Sequence, residues 1–247
     1  MKETENKTGK ARMELVVSMT VFGTLAVFVR EIPLPSGELA LYRAVLAALL
    51  ILVYFLAGKT RIQVSLLKKE LAVLLLSGAA MGLNWILLFE AYRYTTVSAA
   101  TLSYYAAPVI VTMLCPVFFH ENLTKKQVLC FVMSTAGVVL IIGIRNLTGG
   151  GKDLVGILLG LGAAVFYAAV ILLNKLIKGV SGIQRTFLQF LAAIAVLIPY
   201  VACTGGFHLA ELSGAGWGSL LIVGLFHTGV TYCLYFSALK ELRGQEA

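Results

Sequence analysis

Eight stretches of this chain contain no Asp, Glu, Lys or Arg: residues 15–29, 44–58, 71–89, 94–119, 127–144, 154–174, 186–207 and 212–239. A helix needs about 20 mainly apolar residues to cross the hydrocarbon of a bilayer. The first two runs reach that length if Glu14 sits at the interface and Arg43 lies inside the second span. Backbone groups in lipid must be bonded internally, so only helices or a closed barrel are admissible, and unbroken apolar runs lack the alternation of a barrel. The expected fold class is an all-α polytopic membrane protein with eight transmembrane helices. Composition agrees, because 59% of residues are hydrophobic and only 13% are charged. A soluble domain carries about a quarter charged residues to cover its surface. A soluble core, a disordered chain and a nucleic-acid-binding domain are thereby excluded. A removable signal peptide is the rival reading of residues 1–30, but no A-x-A site follows and seven further spans do.

The net charge of +8 is explained by where the basic residues fall. The tail before span one, the even-numbered connections and the C-terminal end hold 15 Lys and Arg, counting Arg185 among them, whereas the odd-numbered connections hold four: Arg30, Arg93, Arg145 and Lys152. The positive-inside rule then puts the N-terminus in the cytoplasm of a multi-pass plasma-membrane protein. The cysteines, Cys115, Cys130, Cys203 and Cys233, lie inside apolar runs without metal-ligand spacing and read as buried thiols. No metal or cofactor is expected. The G-G-G-K at 149–152 is followed by Asp153 and lacks the hydroxyl of a phosphate-binding loop.

The hydrophilic segment 145–152, RNLTGGGK, falls after span five and divides the chain. Shifting the sequence by 147 sets GLNWILLFEAYR (82–93) over GVTYCLYFSALK (229–240), matching Gly82 with Gly229, Leu87 with Leu234, Phe89 with Phe236 and Ala91 with Ala238. Trp85 meets Tyr232. Both stretches are the third span of their half, and a repeat with five spans must insert its second copy upside down. The expected organisation is a cytoplasmic tail at 1–12, a first five-helix repeat at 13–144, a linker at 145–152 and a second repeat at 153–247. In this register Ala247 matches Ala100, so the second repeat lacks its last two helices. A fragment of a ten-span protein is the expectation, and a true eight-span variant is the alternative.

At this point the residues resemble the drug/metabolite transporter superfamily, in its EamA-type family. The resemblance rests on Phe22-Gly23, on LYRAVLAALLIL (41–52), on FEAYRYTTVSAATLSYYAAPVIV (89–111), on FFHENLT (118–124) and on Ala136-Gly137-Val138, in order and at family spacing. His120 departs from the usual Gly. The resemblance implies two inverted five-helix halves around a central cavity and transport of small metabolites, often export.

A transporter must offer polar or aromatic groups to its cargo without exposing them to lipid. Candidates on helical faces are Asn84, Trp85 and Tyr92 in span three, Thr101, Tyr104, Tyr105, Pro108 and Thr112 in span four, and Thr228, Thr231, Tyr232 and Tyr235 in span eight. The substrate-binding set drawn from these is Asn84, Trp85, Tyr104, Tyr105, Pro108, Tyr232 and Tyr235, with Tyr167 and Asn174 of span six extending it. Helix-to-helix packing is the competing reading. Pro108 in mid-span frees a backbone carbonyl and kinks the helix. Gln189 and His227 are further polar intrusions, and a lone intramembrane His is more often structural, although it can titrate near neutral pH. Arg43 and Glu90 read as the only embedded charges. Either they share an outer vestibule, as coupling or gating residues with Glu90 taking a proton, or each is independent, Arg43 reaching the surface and Glu90 lying beside Arg93.

The function expected is secondary transport of a small organic solute by alternating access. The alternatives are a non-transporting membrane scaffold or receptor and, less favoured, a membrane-embedded enzyme, for which no convergent catalytic set exists in the sequence; no catalytic residue is assigned. The partners expected are the solute and the lipid bilayer, without nucleic acid. The G-x-x-x-G pairs at Gly78/Gly82 and Gly156/Gly160 mean close helix packing, with a homodimer as the second reading.

Overall fold

The computed structural model describes residues 2–29, 31–58, 64–119, 123–148, 150–180 and 182–242. Among these residues all regular structure is helical. The helices are α1 (Lys2–Val29), α2 (Ser36–Gly58), α3 (Val64–Tyr94), α4 (Val97–Tyr104), α5 (Ala107–Phe119), α6 (Lys125–Thr148), α7 (Gly150–Leu176), α8 (Gly182–Thr204), α9 (Gly214–Leu221) and α10 (Thr231–Glu241). A short 3₁₀ turn, Leu209–Glu211, precedes α9, and a nine-residue π-helical stretch, Ile222–Val230, joins α9 to α10. Seven of the eight apolar runs lie in helices long and apolar enough to cross a membrane, and the run 127–144 lies in the 24-residue α6. His120 lies outside the described residues.

Local chemistry sets the ends of these helices. Thr96 and Ser213 cap α4 and α9, accepting from the backbone N–H of Ala99 and Gly216. Thr124 and Gln127 cap α6 reciprocally: Gln127 Oε1 accepts from Thr124 N at 2.7 Å, and Thr124 Oγ1 accepts from Gln127 N at 3.3 Å. Span four is interrupted at Tyr105–Ala106, between α4 and α5. Pro108 has no N–H to give Tyr104 O, its i−4 carbonyl, so the sequence-predicted break falls one turn before the proline. Residues 145–148 close α6 and residues 150–152 open α7, so Asp153 stands in the first helical turn rather than in a loop.

Two compact units result. The first comprises residues 2–82 with 173–242, and the second residues 83–172. In the first, α2 packs along α8 and against the π-helical stretch, and α1 packs along α10. Glycines permit the close approaches. A Cβ on Gly78 would meet Gln189 and Ala192, and one on Gly82 would meet Ala193 and Val196. A Cβ on Gly224 would strike Leu46, and one on Gly229 would strike Leu50 and touch Ala47. In the second unit α4 and α5 run along α7, where Gly156 and Gly160 receive Thr95, Ala100 and Ser103. Ala106, Ala107 and Ala164 continue that seam into Val111, Cys115, Ala168, Ile171 and Leu172. Both G-x-x-x-G pairs therefore serve packing within the chain.

Cys115 is buried as expected, but Cys130 and Cys203 are exposed and Cys233 is half-buried. An apolar run in a membrane span has a lipid-facing side as well as a packed one, and hydrophobicity alone does not tell them apart.

Candidate functional site

The second unit holds Asn84, Trp85, Tyr104, Tyr105, Pro108, Tyr167 and Glu90. Asn84 is buried, and its Nδ2 donates to Ala163 O at 2.7 Å, tying α3 to α7. Trp85 is buried as well. The rings of Tyr104 and Tyr167 lie 5.3 Å apart. Tyr105, at the break in span four, is 61% exposed and points away from this packing. Pro108 lines a recess of ≈ 280 Å³ with Thr112, Gln127, Cys130 and Ser134, between α5 and α6. Glu90 accepts from Arg93 Nη1 at 3.0 Å on an exposed helix face. Asp153 is buried and accepts from Thr95 Oγ1 at 2.6 Å.

The first unit holds the remaining candidates. Asn174 does not join Tyr167 but enters a buried polar node with Ser77, Arg185 and Gln189. Gln189 Nε2 donates to Ser77 Oγ at 2.7 Å and to Asn174 Oδ1 at 3.1 Å, while Arg185 donates to Asn174 O at 3.1 Å and to Ile177 O at 2.6 Å. Arg185 is fully buried. Its place in the sequence reads as a loop charge, but its burial means that Arg43 and Glu90 are not the only embedded candidates. The reason for the difference is that the last carbonyls of α7 need donors, and a guanidinium three residues into the next helix supplies them. Nearby, the Glu70 carboxylate accepts from the backbone N–H of Lys178, Gly179 and Val180, fixing the turn between α7 and α8.

Arg43 is also buried, at 5% exposure, and does not reach the surface. Its Nε donates to Thr228 Oγ1 at 3.1 Å. Thr228 belongs to the π-helical stretch, where hydroxyls bond back five residues instead of four: Thr228 Oγ1 donates to Val223 O at 2.8 Å and Thr231 Oγ1 to Phe226 O at 2.9 Å. His227 is next to it, with Nε2 2.9 Å from Thr24 Oγ1 of α1 and Nδ1 3.4 Å from Ile222 O. One turn on, Tyr232 and Tyr235 enter an aromatic cluster with Phe22, Phe190 and Phe236, with centroids 5.1 to 6.4 Å apart. Edge-on contacts of this kind suit the ring quadrupoles. Arg43 of α2 thus pairs with Thr228 of span eight, and one turn on Tyr232 and Tyr235 of the same span meet rings of α1 and α8. π-Helical turns occur often at functional sites, and intramembrane ionisable groups mark solute and ion pathways.

One end of α2 carries a feature that the residue pattern did not suggest. Glu38 is buried and binds both the backbone N–H and Nδ1 of His208, and it accepts from Tyr42 Oη at 3.3 Å. Gly206, at φ +91°, makes the turn that brings His208 back to α2. The hydrogen bond to Glu38 raises the His208 pKa above its ordinary value; partial burial opposes the shift, and the charges of Glu38 and Glu211 add to it. The only hint in the sequence was an acidic residue in a first helical turn, which is common in any helix.

The chain is similar in sequence and in fold to known proteins. An uncharacterized transporter of Bacillus subtilis (strain 168), YxxF, is 33% identical over 233 residues, spanning 94% of this chain and 74% of that protein. An uncharacterized transporter of Clostridium kluyveri and the uncharacterized transporter YyaM of B. subtilis are each 25% identical, and this chain spans 57% and 65% of their respective lengths. One crystal structure superimposes with a TM-score of 0.79 at 17% identity, covering 96% of this chain and 82% of that one, which establishes the fold. Residues 13–143 and 154–247 both match the EamA-like transporter family, and the chain belongs to that family.

Proposed function

We propose that this protein carries a small organic solute across the membrane by alternating access, with its N-terminus in the cytoplasm and its chain built as two inverted repeats. The observation that carries the reading is the buried pair of Arg43 and Thr228 at an irregular helix, followed one turn on by buried Tyr235 and half-buried Tyr232, which sets a cation, hydroxyls and aromatic faces along one span of an apolar bundle. An intramembrane cation is expensive to keep, by about 2.5 to 3.5 kcal/mol on insertion scales, and a packing role alone is met more cheaply by apolar residues.

The packing of the first unit supports the repeat. An offset of 146 carries Leu46, Ala47 and Leu50 of α2 onto Ala192, Ala193 and Val196 of α8, and Gly78 onto Gly224. Gly78 and Gly82 receive the second triplet while Gly224 and Gly229 receive the first. Two segments with the same notches, each grasping the partner of the other, are what a duplicated unit with swapped roles requires. Secondary transporters with inverted repeats place their solute site where such halves meet.

The test is flux in vesicles. The full chain is reconstituted and offered radiolabelled organic acids, amines and neutral metabolites separately, each with a concentration gradient. The expected result is saturable uptake of at least one class, reduced at least tenfold by Tyr232→Ala with the protein still monodisperse. Absence of saturable flux for every class, in protein that retains its helix content, overturns transport in favour of a scaffold.

A further inference from the structure

We propose that His227, in the π-helical stretch of span eight, is a proton-binding site whose occupancy sets the hydrogen-bonding pattern where α1 meets span eight. The inference rests on the transporter reading for its purpose but on hydrogen-bond counting for its existence. Three contacts converge there: Thr24 Oγ1 lies 2.8 Å from Val21 O and 2.9 Å from His227 Nε2, and His227 Nδ1 lies 3.4 Å from Ile222 O. Carbonyls only accept, so the bond to Ile222 O needs a proton on Nδ1 and the bond to Val21 O uses the single proton of the Thr24 hydroxyl. The remaining bond then needs a second ring proton, on Nε2. All three are made together only by the imidazolium.

Loss of one proton breaks the set in either tautomer. If Nδ1 is bare, its lone pair faces the Ile222 carbonyl. If Nε2 is bare, it must draw the Thr24 proton away from Val21 O: the bond to span eight reverses its donor, and α1 loses its own bond. Release of the proton to water therefore costs either the bond of span eight to Ile222 O or the bond of α1 to Val21 O, and uptake restores the full set.

The surroundings define what could be coupled to this event. Among the described residues the charged group facing the ring is Arg43 of α2; the other neighbours are the rings of Phe28 and Phe226. Arg43 also holds Thr228, the residue after His227. Charge placed beside Arg43 and a proton on His227 therefore act on each other, and by linkage an anion arriving there and the proton favour one another's binding.

The test uses the full-length chain in lipid nanodiscs, labelled with ¹⁵N-histidine. The sequence has three histidines, so single His→Gln variants assign every signal. The expected result is that both His227 nitrogens show imidazolium shifts at low pH and convert to a neutral ring between about pH 5 and 9. Thr24→Val, which removes the shared hydroxyl, should move the His227 midpoint by at least about threefold in proton affinity, half a pH unit, and leave His208 unmoved. A His227 ring that keeps one neutral tautomer over that range overturns the proposal, as does a midpoint indifferent to Thr24→Val. Titration without solute flux would count against transport alone, and flux without His227 titration against the proton site alone.

Discussion

At the scale of single residues, the structure separates charges that hold the bundle together from those that could act on a solute. His208 holds the 205–212 turn to α2 through Glu38, and the raised pKa makes that tie pH-dependent. A group with a raised folded value contributes fully below its unfolded pKa, about 6.5, and loses that contribution as pH rises through the folded value. Protection factors over residues 205–212, which remove the intrinsic base catalysis of amide exchange, should therefore be high at pH 6 and fall above the His208 midpoint. Glu38→Gln should return that midpoint toward about 6.5 and flatten the profile. Arg185 is a different case because no solvent reaches it. Arg185→Met would strand Asn174 O and Ile177 O, each stranded group costing about 1–3 kcal/mol, and the thermal unfolding midpoint in detergent should fall accordingly. Arg185→Lys should recover part of the loss, since an ammonium can reach one carbonyl but lacks the fork that serves both.

At the scale of elements, the π-helical stretch has a specific cause. Gly78 and Gly82 are four residues apart, while Gly224 and Gly229, their counterparts in the proposed repeat, are five apart, and both pairs present one face to a neighbouring helix. One turn of α-helix spans the first interval, and only a wider turn spans the second. Deleting Phe226, whose ring is half exposed, should restore the shorter interval and regular α-helix. The expected protein remains monodisperse, with its helix content unchanged by circular dichroism, but loses the Arg43–Thr228 register and at least tenfold of its flux. Unchanged flux would show that the irregular turn is incidental. Which of these features could be read from residues alone follows from the same physics. Apolar runs give spans because lipid allows nothing else, and Pro108 gives its break because an imino acid cannot donate. The π-helical stretch was hidden, since IVGLFHTGV reads as an ordinary apolar helix and its one extra residue shows only against the proposed first repeat. Arg185 was hidden by company, for it follows Lys175 and Lys178 and looks like one more loop charge. Tyr105 and Tyr104 are adjacent in sequence, yet one stacks on Tyr167 and the other is exposed, because the break in span four turns the helix face between them.

At the scale of the whole molecule, the reading turns on how the chain is threaded. Removing Arg185 from the loop charges leaves 14 basic residues on the proposed cytoplasmic side against four on the other, still a decisive bias. Arg93 and Lys240 occupy matching positions of the proposed repeats, at the ends of spans three and eight. An odd number of spans lies between them, so eight crossings put them on opposite sides, Arg93 outside and Lys240 inside under the proposed cytoplasmic N-terminus. Arg93 is exposed and paired only with Glu90 among the ion pairs described, which makes it a mild place to substitute. In a chain whose four cysteines are replaced by Ser or Ala, Arg93→Cys should react with a membrane-impermeant maleimide added to intact cells, and Lys240→Cys should react only after permeabilisation. If both react from the outside, one predicted span does not cross, the two halves cannot be inverted copies, and the pairing of Gly78 and Gly82 with Gly224 and Gly229 becomes a coincidence of small residues. If the labels fall on opposite faces, that pairing is what inversion demands: one helix pair repeated in the opposite sense, with the single inserted residue marking where the second copy departs from the first.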